Sequence, residues 1–152
     1  MTLTITSTAF AAGKPIPADY SCDGKGISPP LAWSGAPAGT QAFALIMDDP
    51  DAPSGTYVHW VIYNVPAASQ GLSEGIPGDA KLVDGTLQGS NSSRRTGYAG
   101  PCPPSGTHRY FIKLYALDTN LELASGASKE QLLKAMQGHV LAQGDLMGTY
   151  SR

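Results

Sequence analysis

The chain has 152 residues, a formal net charge of −2, 41% hydrophobic residues and 14% charged ones. That is the length of one compact domain with enough apolar content to fold without staples, and it excludes intrinsic disorder. The charge balance excludes a broad electrostatic surface for nucleic acid or anionic membrane, while leaving room for one anion pocket.

The opening "MTLTITSTAF" has neither the basic nor the apolar region of an export signal. No apolar run approaches the roughly 20 residues of a membrane helix. A cytoplasmic protein without a membrane span is therefore expected. Eighteen glycines and twelve prolines then divide the chain into short segments. Leu3–Thr6 ("LTIT") alternates, and Phe43–Met47 ("FALIM") is a continuous apolar run. Tyr57–Val65 and Arg109–Leu117 are rich in aromatic and β-branched residues, and the closing "HVLAQGDLMGTYSR" reads as a last strand. Short strands between turn clusters predict an all-β sandwich or barrel, and the continuous runs predict strands covered on both faces. One helix is predicted near Ser128–Gln137. Ser128 and Gln131 form a capping box, Leu132, Leu133 and Met136 share a face, and Gly138 supplies the stop. Neither repeat nor linker interrupts residues 1–152, which are read as a single domain.

Two long loops carry the chemistry, one from Asp48 to Thr56 and one from Gly89 to Thr107. Each leads into a strong strand that opens near a histidine, His59 or His108. Long ordered loops in a compact domain are more often functional than not. The first places three aspartates and two prolines within Asp48–Pro53. Together the segments offer Asp49, Asp51 and His59 with Tyr98, Gly100, Pro103, His108 and Tyr110. Histidines supply N–H donors, a neighbouring carboxylate fixes their tautomer, and a glycine lets backbone N–H approach a ligand. Such a set suits a small oxyanion.

"DPDAPSGTYVHWVIYNVP" (Asp49–Pro66) and "GYAGPCPPSGTHRYFIKLYALD" (Gly97–Asp118) are the blocks by which the sequence resembles the phosphatidylethanolamine-binding protein family, in its shorter bacterial and archaeal, Raf-kinase-inhibitor-like branch. "CDGKGISPPLAW" and "GDLMGTYSR" add weaker support. The resemblance implies an antiparallel β-sandwich with Greek-key connections, a large sheet packed on a smaller one. It implies a non-enzymatic pocket for the phosphate of a phospholipid headgroup or phosphorylated peptide, and regulation of a kinase or protease as a further role. Matched residue by residue, the pocket comprises Asp49, Ala52, Pro53, His59, Gly100, Pro103, His108 and Tyr110, with Pro103–Pro104 as wall and the Ala52–Pro53 bond a candidate cis peptide. Longer eukaryotic members add a C-terminal helix beside the pocket. This chain ends on its last strand, which implies a more open site.

Other readings of the same residues are weaker. Asp48–Pro53 taken alone is turn chemistry. Asp49, Asp51, His59 and His108 lack the spacing of a metal site, so neither a metal nor a cofactor is expected. "GLSEG" (Gly71–Gly75) spells a nucleophile elbow, but Pro77 and Gly78 deny it the helix it needs, so no catalytic residue is assigned. A hydrolase or transferase using a pocket His–Asp pair is the alternative. Asn91 opens a glycosylation sequon by spelling only. Arg94 and Arg95 read as a solvated loop, His139 as structural, and Trp33 and Trp60 as core or pocket wall. Cys22 and Cys102 have no CxxC spacing and read as two free thiols in a reducing compartment, although they could pair. An open-edged sandwich can also associate as a homodimer.

Overall fold

The apolar run around Phe43 becomes the central strand of a five-stranded antiparallel sheet. A computed structural model describes residues 2–152. In chain order the strands are β1 (Thr4–Thr6), β2 (Leu31–Ser34), β3 (Ala42–Asp49), β4 (Tyr57–Pro66), β5 (Gly71–Leu72), β6 (Leu87–Gln88), β7 (Thr107–Leu117) and β8 (Val140–Ser151), with helix α1 (Lys129–Met136) before the last. The large sheet has the order β6-β4-β3-β7-β8 and the small one β1-β2-β5. In the large sheet β3, β4 and β6 lie side by side and β7 returns beside β3, which is Greek-key order.

Every residue of β3 is buried because both of its faces are covered. Phe43, Leu45 and Met47 point to the small sheet, where they meet Trp33, Trp60, Ile112 and Leu114. Ala44 and Ile46 point the other way, to Val61, Tyr63, Leu132 and Met136. This period-two division is the ordinary alternation of a strand, hidden in the sequence because both rows are apolar.

The capping box forms as predicted, with Ser128 Oγ accepting from Gln131 N–H and Gln131 Oε1 accepting from Ser128 N–H. Gly138 has φ +81°, the left-handed turn that follows the helix. Leu133 departs from prediction. It is exposed, and only Leu132 and Met136 of the three reach the core. The outer edge of β8 is partly covered. Leu3, Gly13 and Ile16 donate N–H bonds to Gln143, Met147 and Thr149 carbonyls at 2.7–3.0 Å, which narrows the free edge on which pairing of two copies would rely. Among the described residues no helix is long and apolar enough to cross a membrane.

Candidate functional site

At one end of the sandwich the core-facing rows stop being apolar. On β3 the row Phe43, Leu45, Met47 continues to Asp49. On β7 the row Leu114, Ile112 continues to Tyr110 and His108. Asp49, Tyr110 and His108 are all buried, and they floor a cavity of about 400 Å³. Strand alternation alone puts these three side chains on one face.

His59 arrives differently. In the β3–β4 ladder Met47 pairs with Trp60 and Asp48 with Val58, so His59 is the extra residue of a β-bulge. A bulge re-aims a side chain at a sheet end, and His59 here lines the cavity. Its ring stands edge-on to Tyr110, centroids 5.2 Å apart, and 4.8 Å from Tyr57.

The hydrogen bonds fix the polarity of the site. His108 Nδ1 donates to Asp49 Oδ2 at 2.7 Å, while Asp51 N–H donates to Asp49 Oδ1 at 2.8 Å. The carboxylate is thereby held and holds the ring in turn. His59 Nδ1 donates to the Ala99 carbonyl at 2.7 Å, since a carbonyl can only accept. Burial lowers the His59 pKa from its ordinary value, against the opposing pull of the Ala99 carbonyl and of Asp49, so the ring is held neutral. Neutral His59 therefore shows the cavity an Nε2 lone pair, where the sequence led us to expect an N–H donor. The Tyr110 hydroxyl is the buried side-chain polar atom without a partner among the described residues. Burial first, and then the charges of Asp49 and Asp51, keep that phenol well above its ordinary pKa, so it remains a neutral O–H donor.

All eight residues assigned from the resemblance line the cavity: Asp49, Ala52, Pro53, His59, Gly100, Pro103, His108 and Tyr110. Other members of the wider set lie elsewhere. Tyr98 donates to the Tyr20 carbonyl and packs edge-on against Trp60 in the core. Asp51 is gripped by Arg109 through Nε and Nη2, both at 2.9 Å, and these bonds lower its pKa to about 2. Asp48 and Asp49 belong to β3, so the first loop is only residues 50–56. Three wall residues carried no signal of their own, Tyr57, Ser93 and Ala99. The Ser93 and Tyr57 hydroxyls hydrogen-bond each other, and Ser92 is stitched to Val58 by its N–H and Oγ at 2.8 Å.

Two expectations are corrected, and Gly100 gains a second role. Cys22 and Cys102 are joined in a disulfide, Cα–Cα 5.4 Å. The Cys22 N–H donates to the Pro101 carbonyl at 3.1 Å, which brings the two backbones within bridging range. Spacing and compartment say nothing of such a contact. Both cysteines line the cavity rim. The Ala52–Pro53 bond is trans, as are all peptide bonds among the described residues. Gly100, which lines the cavity as expected, is needed for rim packing as well. A Cβ there would meet the Tyr20 carbonyl oxygen at 2.6 Å and Ser21 Cα at 3.0 Å.

The remaining motifs are structural. Gly71–Leu72 is β5, and Ser73–Gly75 turns without a helix after it. Asn91 is buried with its amide nitrogen donating to the Gly97 carbonyl at 2.9 Å. His139 pairs with Asp118 at 2.8 Å, and Arg94 and Arg95 are exposed and not among the lining residues. Trp33 and Trp60 are core.

The phosphatidylethanolamine-binding protein family model matches residues 6–151. The chain belongs to this family. It is 54% identical over 150 residues to a UPF0098 protein of Methanothermobacter thermautotrophicus, covering 99% of each chain. Among solved structures, a phosphatidylethanolamine-binding protein homologue from Chlamydia trachomatis superposes with a TM-score of 0.92 at 43% identity, covering 99% of this chain and 98% of that one. The E. coli family member YbcL superposes at 0.87 and 30% identity, covering 100% and 99%.

Proposed function

We propose that this family member is a non-enzymatic binding protein, acting as one domain, whose cavity takes a phosphate-bearing small molecule or phosphorylated peptide. The observation that carries the reading is the unpartnered Tyr110 hydroxyl, fully buried at the cavity floor beside the Asp49–His108 pair. A buried donor without a partner costs about 1–3 kcal/mol, and an anion's oxygen would satisfy it. Regulation of a kinase or protease through the same cavity is a further role that fits such a socket. The exposed disulfide favours an oxidising compartment over a cytoplasmic one.

The test is an NMR titration with inorganic phosphate. His59 and His108 ring resonances should move and those of His139 should stay. Movement of His139 alone would place the site elsewhere. One observation favours the catalytic alternative: the Asp49–His108 pair has the geometry of a general base and its orienter. Turnover of p-nitrophenyl phosphate or acetate, abolished by His108→Ala, would establish it; we expect none.

A further inference from the structure

Both cysteines of the rim disulfide are exposed, and the chain on its two sides is held differently. The Cys22 side is anchored. Tyr20 is buried with its hydroxyl on Glu74, and Ser21 Oγ lies 2.7 Å from the Ala18 carbonyl and 2.9 Å from the Tyr150 hydroxyl. The Cys102 side is loose. The Pro101 carbonyl accepts from Cys22, and Gly106 pairs with Arg152, but residues 102–105 between them make no backbone hydrogen bond among the described residues. Three of these four, Cys102, Pro103 and Pro104, line the cavity. Apart from the buried Pro103 ring, this stretch of wall is fastened by the sulfur–sulfur bond.

The two sulfurs also differ electrically. Arg152 Nη1 donates to Cys102 Sγ at 3.3 Å, and no such bond reaches Cys22 Sγ among the described residues. Asp23 holds the guanidinium there. Its Oδ1 lies 3.4 Å from Arg152 Nη2, and its Oδ2 accepts from the Tyr150 hydroxyl at 2.6 Å. Arginine stays charged, and a cation beside a sulfur favours its thiolate. A disulfide opens fastest toward the sulfur that is the better leaving thiolate.

We propose that Cys22–Cys102 is a thiol–disulfide exchange site for dithiol reductants, attacked at Cys22 with Cys102 leaving toward Arg152, and that its reduction releases the cavity wall. A thiolate of the reductant bonds to Cys22 Sγ as the Cys22–Cys102 bond breaks, and Cys102 Sγ departs with the electron pair. The reductant's second thiolate then bonds to the first sulfur and displaces Cys22. In net, two electrons and two protons pass from the dithiol to the cysteine pair, and the reductant becomes a disulfide. Freed of its tether, the stretch 102–105 keeps only the Pro103 anchor, so a ligand that leans on this wall loses contact. That consequence rests on the phosphate reading above. Linkage makes it reciprocal, since a ligand that prefers the closed wall must oppose its reduction.

The experiment begins with the oxidised whole chain, exposed briefly to glutathione, quenched in acid and mapped by mass spectrometry. The glutathione adduct should sit on Cys22. Arg152→Gln should slow reduction by dithiothreitol roughly 3- to 10-fold and spread the adduct over both cysteines, and Arg152→Lys should restore much of the rate. In the chain reduced by dithiothreitol, nitrogen-15 relaxation should show the Cys102 and Ser105 amides loosened, while circular dichroism stays that of the oxidised fold. Phenyl phosphate, whose ring extends from the floor toward the proline wall, should bind at least about tenfold more weakly to the reduced chain. At saturation it should lower the midpoint potential of the pair by the equivalent, about 30 mV per tenfold. An adduct mainly on Cys102, a reduction rate indifferent to Arg152, or a reduced chain that unfolds as a whole would overturn the inference. Equal affinity of both forms would overturn the control of binding and leave the phosphate reading standing. No response of the His59 or His108 resonances to phenyl phosphate in either form would overturn the phosphate reading, while the adduct position and the relaxation of the wall still decide the exchange site.

Discussion

Asp48 and Asp49 are neighbours in sequence, both buried, and have opposite fates. Asp48 points to the helix side of the sheet, where Lys129 and Lys113 reach it at 2.8 and 3.3 Å. The first residue of α1 is thereby tied to the sheet. Asp49 points to the other face, where His108 and the Asp51 N–H meet it, with no lysine or arginine on it among the described residues, and the Tyr110 hydroxyl beyond has no partner. A carboxylate satisfied by two cations anchors structure. One that merely orients a ring, beside an unsatisfied donor, is arranged for something that arrives later. Strand alternation alone makes the difference.

The largest expected effect sharpens how differently the two ends are held. The cavity side is stapled by Cys22–Cys102, which closes a loop of 80 residues, whereas the helix side is held by the packing of Leu132 and Met136 and by the lysines on Asp48. Cross-links of that span stabilise by roughly 2–5 kcal/mol. Replacing both cysteines by alanine should lower the denaturant midpoint accordingly and weaken phosphate binding. A loss below about 1 kcal/mol would mean that the rim is held by the Cys22–Pro101 backbone contact and its neighbours.

Next in size is the paired substitution of the aspartates. Asp49→Ala removes a negative charge from an anion site, so a charge argument predicts tighter binding. It also frees the His108 ring, and losses of that kind cost about 10- to 100-fold in metal sites, from which we borrow the order of magnitude. We expect weaker phosphate binding by calorimetry below neutral pH, with circular dichroism confirming the fold. Tighter binding by a folded variant would reduce Asp49 to turn chemistry. Asp48→Ala should do the reverse, losing about 1–2 kcal/mol of stability because Lys113 and Lys129 can turn to solvent, with a far smaller change in phosphate affinity. If both variants lose binding alike, the contrast between the two faces fails.

The sequence makes the long elements and half of the site readable, for separate reasons. Phe43–Met47, Tyr57–Val65 and Arg109–Leu117 announce β3, β4 and β7 by composition, and Ser128 with Gln131 announces α1. Leu31–Ser34, Gly71–Leu72 and Leu87–Gln88 do not, because without the alternation that marks Leu3–Thr6 such short strands are selected by their partners. The pocket residues were legible through two blocks whose resemblance to a family is specific. Tyr57, Ser93 and Ala99 were not, since the His59 bulge and the Ser92–Val58 stitching that place them are products of register. The disulfide depends on loops that meet only in three dimensions. The Nε2 lone pair of His59 depends on which oxygen its other nitrogen finds.

The smallest effect separates the cavity from its outer loop by pH. His59 is buried and its pKa is lowered from 6.5, so the unfolded chain binds more protons than the folded one once pH falls below about 6.5. Stability from this site is present above that value and declines as pH drops toward the folded pKa. Asp51 also has a lowered pKa, from 3.8 to about 2, because Arg109 holds its carboxylate. Its contribution is complete above the unfolded value and is lost as pH falls through about 2. Both groups therefore destabilise the fold in acid, but in separate windows. The exposed Arg109–Asp51 pair contributes the smaller part, as solvent-screened pairs do. Denaturant midpoints measured from pH 8 to pH 2 should fall first between pH 7 and 5, and His59→Asn should abolish that step while sparing the acid one. Arg109→Gln should instead raise the Asp51 carboxyl titration toward its ordinary range by NMR and leave the first step unchanged. A first step that persists in His59→Asn would not come from His59, and the neutral ring on which the polarity of the cavity depends would lose its support.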